Sequence, residues 1–110
     1  MTIAMRQGDI LLIRVPDEAR EEIIRLGRLR ADGVIVRGEV TGHAHRVDPT
    51  KARVLEVPRS DASVELYVEV LEATQVVHET HMPLPLSPGL YAVRRQRELS
   101  LAQAVRLVTD

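Results

Sequence analysis

Residues 64–71 read VELYVEVL, with Val64, Leu66, Val68 and Val70 alternating against Glu65, Tyr67 and Glu69. Successive side chains on a strand point to opposite faces, so a two-residue period describes a β-strand with one apolar and one polar face. Upstream, RVLEV (53–57) and DILLIRV (9–15) are dense in the β-branched and Leu residues that strands favour. VIVRGEV (34–40) follows the Asp32-Gly33 turn signal, and sets Val34, Val36 and Val40 against Ile35, Arg37 and Glu39. In HAHRV (43–47), His43, His45 and Val47 share one face, while Ala44 and Arg46 share the other. One helix interrupts the strands: Asp17 can cap EAREEIIRLG, where Ala19, Ile23 and Leu26 recur on one side and Gly27 can end the run.

Downstream, 75–79 reads as extended around Val76-Val77. Pro83, Pro85 and Pro88-Gly89 exclude a helix or a central strand, which leaves 82–89 as an extended stretch ending in a turn. Leu90 to Arg97 is the last strand. Ser100 and Gln103 form a capping box for a short terminal helix that carries Leu101, Ala104, Val105 and Val108 on one side. Short strands separated by polar turns predict a mainly β fold, a small β-barrel or sandwich with one or two short helices, as one domain over 1–110.

Composition narrows the function. The chain of 110 residues has no Phe, Trp or Cys, so its core must be aliphatic, and Tyr67 and Tyr91 are its only aromatic rings apart from the histidines. Without large rings such a core invites a second copy, and a homo-oligomer is expected. Missing cysteines remove disulfides, thiolate metal sites and thiol nucleophiles. Fifteen basic and sixteen acidic residues balance to −1, which gives no field to draw in nucleic acid or an anionic membrane. No stretch of ~18 apolar residues exists for a membrane span. MTIAMRQGD lacks the basic-then-apolar order of a signal peptide, so the cytoplasm is the expected location. There is also no Gly-rich phosphate loop and no Gly-x-Ser-x-Gly nucleophile turn.

All four histidines fall in two short clusters, His43-Ala44-His45 and His78-Glu79-Thr80-His81. Neutral imidazole is the commonest side-chain ligand for divalent transition metals. On a strand, His43 and His45 project side by side and can grip one ion. His78 and His81 would lie on opposite faces of a regular strand, so both can ligate only if the backbone turns near Glu79-Thr80. Otherwise one of them ligates, joined by Glu79 or Glu39. Pro83 excludes the helical H-E-x-x-H arrangement. Glu79, between two candidate ligands, is the candidate general base. The competing readings are a surface His-x-His without an ion, a His78 that caps a turn, and a Glu79 paired with an arginine.

Arg94, Arg95 and Arg97 form a second constellation. They are either cross-strand partners for Glu65, Glu69, Glu72 and Glu79, or a phosphate or carboxylate clamp for a substrate beside the ion. With no Phe or Trp and only two tyrosines to stack bases, a single-stranded nucleic-acid site is not expected.

GEVTGHAHRV (38–47) and HETHMPLPLSPGLYAVRRQRE (78–98), with an opening MRQGDILL, resemble an uncharacterised bacterial family of small proteins. Its members carry Gly-Glu-x-Thr-Gly-His-x-His, His-Glu-x-His-x-Pro, a Pro-Gly-x-Tyr turn and an Arg-Gln-Arg-Glu run. Ser87 stands where that family has Pro, and Leu99 where an aromatic is frequent. His-x-His on a strand, a later His and a Ser87-Pro88-Gly89 turn also look cupin-like, although the later histidines precede the turn instead of following it. The resemblance implies a site and no reaction.

These residues together predict a divalent-metal-binding protein with a four-histidine site. The ion would be Zn, Fe, Ni or Mn, serving a small metal-dependent enzyme that acts on a small molecule. Zn would suit hydrolysis and Fe oxygen chemistry. The alternative is a non-catalytic structural or adaptor module stapled by metal.

Overall fold

The computed structural model describes residues 4–38 and 42–95. Glu39, Val40, Arg97 and the expected terminal helix lie outside the described residues. Ten strands and one helix run in the order β1 (Ala4–Gln7), β2 (Ile10–Arg14), α1 (Asp17–Leu26), β3 (Arg28–Arg30), β4 (Val34–Arg37) and β5 (Ala44–Arg46). They continue with β6 (Ala52–Pro58), β7 (Val64–Val70), β8 (Thr74–Val76), β9 (Leu84–Leu86) and β10 (Gly89–Arg95). Strands β1 and β3 carry no sequence signal. Each is short and charged, and holds its shape by pairing with a neighbour.

Six strands form one antiparallel sheet in the order β1-β2-β10-β7-β6-β3. Two further ribbons, β4-β5 and β8-β9, stand apart from it. They are joined to each other where Arg46 and Val77 exchange both backbone hydrogen bonds at 2.9 Å. Of the two architectures anticipated, a closed barrel does not form among the described residues, because the large sheet ends in the open edges β1 and β3.

One face of the large sheet and both ribbons share a core. Ile10, Leu12, Val54, Val68, Val70 and Val93 of the sheet meet Ile35, Val36, Val76 and Leu86 of the ribbons, with Tyr91 as the one ring. Each buried aliphatic side chain contributes roughly 1.5–3 kcal/mol relative to exposure, so numbers replace the missing rings. Ile35, expected on a mixed face, is 1% exposed. The register of β4 against β5 shifts between Val34 and Val36, and this irregularity lets consecutive residues Val34, Ile35 and Val36 all turn inward.

The opposite face of the sheet, read as polar from Glu65, Tyr67 and Glu69, is roofed by α1. Ala19, Ile23 and Ile24 pack on Leu55, Tyr67, Leu90 and Ala92. Leu26, assigned to the helix's apolar side, is instead exposed, and Ile24 takes that role. Pro16 occupies the N-cap, so Asp17 begins the helix as its first residue and makes no side-chain cap. Beneath the roof, the Glu69 carboxylate is bound by Arg53 of β6 at 2.5 Å and Arg20 of α1 at 3.2 Å. Gly33 turns the chain into β4 at φ +70°, where a Cβ would come within 2.6 Å of the Val47 carbonyl oxygen. Among the described residues, no helix is long and apolar enough to cross a membrane.

Candidate metal centre

The β4-β5 ribbon carries the first histidine pair and the stretch between β8 and β9 carries the second. His45 sits opposite Val36 and is 4% exposed, while His43 on the same side is half-buried. The paired Arg46–Val77 bonds hold the chain beyond β8 against β5, and so hold His78 against His45. The backbone then bends over residues 79–81. That bend is the turn the i, i+3 spacing required, and it brings the rings of His78 and His81 to 4.7 Å between centroids.

All four imidazoles gather around His78. Its ring centroid lies 5.6 Å from that of His43 and 4.4 Å from that of His45, and His45 and His81 stack at 6.3 Å. Imidazoles bound through nitrogen at ~2.0–2.1 Å to one tetrahedral ion have centroids about 5 Å apart, which these separations bracket. As arranged, no three His, Cys, Asp or Glu groups among the described residues form a ligand set around a common point.

Two residues that the sequence reading did not single out complete the site, both from the β1–β2 hairpin. Its two-residue turn is Gly8-Asp9, and Gly8 at φ +59° leaves room for His81: a Cβ there would stand 2.6 Å from the His81 Nε2. Gln7, just before the turn, is buried. Its Nε2 donates to the carbonyls of Val76 at 3.0 Å and Met82 at 2.8 Å. Both amide protons are thus used, and the Gln7 Oε1 faces the His45 Nδ1 at 2.8 Å as an acceptor. His45 must therefore carry its proton on Nδ1, which leaves the lone pair on Nε2.

That Nε2 lies 3.5 Å from the Asp9 Oδ1. Two acceptor atoms face each other there, an arrangement that a proton, a bridging water or a cation between them relieves. Burial first, and then the neighbouring His78, lowers the His45 pKa and opposes the imidazolium form, although Asp9 pulls the other way. Burial and then His81 lower His78 likewise. The His78 Nδ1 accepts from the Thr80 N–H at 3.1 Å, so this ring does cap a local turn.

Glu79 is committed elsewhere. Its Oε1 accepts the Ala44 N–H at 2.9 Å and its Oε2 the Arg46 guanidinium at 2.9 Å. These bonds hold its carboxyl down at about 2, the Ala44 N–H contributing most. A carboxylate so placed clamps the two histidine segments together and is a weak base. Among the described residues its arginine partner is Arg46, not Arg94 or Arg95.

Arg94 and Arg95 line a different cavity, of about 400 Å³, with no histidine in its wall. A depression of about 1000 Å³ includes Arg46, Lys51 and Thr74 in its wall and also lacks a histidine. A smaller one of about 310 Å³ is bounded by Arg6, Gln7, Gly8, His81 and Met82, and His81 is the one histidine in its wall.

A family model described as "Domain of unknown function (DUF8820)" matches residues 6–96, a span that contains the four histidines, Gln7 and Asp9. This is consistent with the resemblance to an uncharacterised family. No curated protein and no solved structure matches the chain.

Proposed function

The chain belongs to the DUF8820 family, and from the site within the matched span we propose that it is a divalent-metal-binding protein. One ion of Zn, Fe, Ni or Mn would be held by His43, His45, His78 and His81, with Asp9 supplying a carboxylate oxygen. The observation that carries this reading is the state of His45. Gln7 fixes its Nδ1–H, and its bare Nε2 faces Asp9 at 3.5 Å. Ligating histidines commonly donate the other ring N–H to a carbonyl or carboxylate in this way. Five donors ~2.0–2.1 Å from one ion stand about 2.9–3.6 Å apart, a range that includes that separation. Loading asks the His78 ring to release the Thr80 N–H, an exposed local bond worth about 1 kcal/mol.

When bound, such an ion supplies Lewis-acid or oxygen chemistry. The exposed His81 and the depression beside it admit a small molecule, which favours a hydrolase or oxygenase type of activity. A second reading, the structural staple, has its own support. The donors come from the β1–β2 turn, from residues 43–45 and from residues 78–81, so one ion would tie the edge of the large sheet to the ribbons.

Elemental analysis of tag-free protein tests the ion itself. About one divalent ion per chain is expected, with His45→Ala and His81→Ala each losing most of it. Wild-type protein that stays metal-free after exposure to all four metals overturns the proposal, as does unchanged content in both variants. A loaded protein that turns over nothing in a hydrolase and oxygenase screen, yet loses thermal stability to a chelator, is the staple.

A further inference from the structure

A proline decides which way the backbone of β8 faces. Strand β8 pairs with β9 through Thr74 and Leu86, Gln75 and Pro85, and Val76 and Leu84. Pro85 has no N–H, so Gln75 and Pro85 cannot be a hydrogen-bonded pair. The ladder bonds therefore run through the two flanking pairs, Thr74 with Leu86 and Val76 with Leu84. In a strand, the N–H and C=O of one residue point to one edge and those of the next residue to the other. Gln75 and Val77 consequently turn theirs away from β9 and towards β5. Val77 meets Arg46 there, with both bonds at 2.9 Å, in agreement with this alternation.

Gln75 finds no such partner. If the ladder continued past Arg46 and Val77, its next hydrogen-bonded pair would be Asp48 with Gln75. The Asp48 carbonyl instead accepts the N–H groups of Lys51 and Ala52, both at 3.0 Å, as the chain turns into β6. The two strands part after a single bridge, and the cleft of about 1000 Å³ opens between them. No described residue takes the Gln75 N–H or C=O on that side.

The described wall of the cleft comes from residues 46–51, 73–77 and 85–87, and each stretch is flanked by described residues. Val47 and Leu86, both core residues, give it an apolar floor, with Val77 and Pro85 exposed beside them. Arg46 is already paired with Glu79, and Lys51 shares the wall with Asp48, so these residues single out no ion. The volume is that of a ligand pocket. One backbone donor next to one backbone acceptor, above an apolar floor, matches a peptide group whose neighbouring side chains are aliphatic. We propose that this cleft binds a short extended peptide with aliphatic side chains, which pairs with Gln75 as an added strand. The site is separate from the histidine cluster and does not rest on the metal reading.

Amide chemical shifts recorded during titration with acetyl-Thr-Val-Thr-Val-Thr-amide test it. Saturable shifts are expected, with the Gln75 N–H among the largest. Analogues that carry an ester in place of each amide in turn remove one donor at a time. At least one of them should bind about fivefold more weakly, the scale of a single hydrogen bond. Gln75→Ala keeps both backbone groups and should stay within about twofold. Gln75→Pro removes the cleft-facing N–H and leaves the β8–β9 bonds in place, and affinity read from the other cleft amides should fall about fivefold or more. Absence of saturable binding, equal binding of every ester analogue, or wild-type affinity in Gln75→Pro overturns the proposal. Loss of binding in Gln75→Ala also overturns it, by marking a side-chain pocket. So does a Gln75 shift that follows protein concentration without peptide, which would give the cleft to a second copy.

Discussion

Gln7 shows how one amide can define a neighbour's chemistry. It is buried 38 residues away in sequence from His45, and its two N–H groups are spent on backbone carbonyls. Flipping the amide would set its oxygen against both carbonyls and its nitrogen against the imidazole, so the orientation is enforced. Gln7→Leu keeps the bulk and removes every one of these bonds. Zinc affinity, measured by competition with a chelator, is expected to fall about 10–100-fold, the usual scale when a ligand's outer partner is lost. Urea unfolding should show a loss of about 1–3 kcal/mol from the stranded carbonyls. Affinity within twofold of wild type would remove Gln7 from the site. Glu79 makes the complementary point: adjacency to two histidines suggested a base, yet its oxygens are taken by Ala44 and Arg46.

Among the elements, α1 depends on a polar anchor as much as on its apolar side. Arg20 reaches from the helix to Glu69, and Arg53 reaches the same carboxylate from the neighbouring strand. Glu69→Gln removes the charge at nearly constant shape and leaves two guanidinium groups facing a neutral amide. Both arginines are partly exposed, at 37% and 43%, so solvent reduces the penalty below that of a fully buried pair. A loss of about 1–3 kcal/mol is expected in urea unfolding. Wild-type stability in this variant would mean that α1 is held by Ala19, Ile23 and Ile24 alone. Alternation in 64–71 identified the strand correctly and could not report this burial. A roof over a polar face leaves no trace in the period.

For the whole molecule, no described residue pairs with the outer edges of β1 and β3 in the large sheet, and Leu29 in β3 is 60% exposed. Unpaired edge strands present backbone N–H and C=O groups that a second copy can satisfy. A homodimer is therefore expected. Sedimentation at micromolar concentration that returns only a 12.3 kDa species would exclude it.

The β character, the helix after Pro16 and the extended course of the proline-rich stretch were legible in the residues themselves. Periodicity, proline and turn chemistry act over a few neighbours, and no distant partner is needed to express them. The two histidine pairs were legible for the same reason, as was the need for a bend between His78 and His81. Tertiary structure alone decided that Ile35 turns inward, that Glu69 is roofed, that Glu79 is a clamp, and that Gln7 and Asp9 join the histidines. It also decided that Arg94 and Arg95 line a cavity apart from the histidines. Each of these depends on which strands pair and in what register. That outcome is set by the sum of many burial and hydrogen-bond energies across the molecule, and no local pattern contains it.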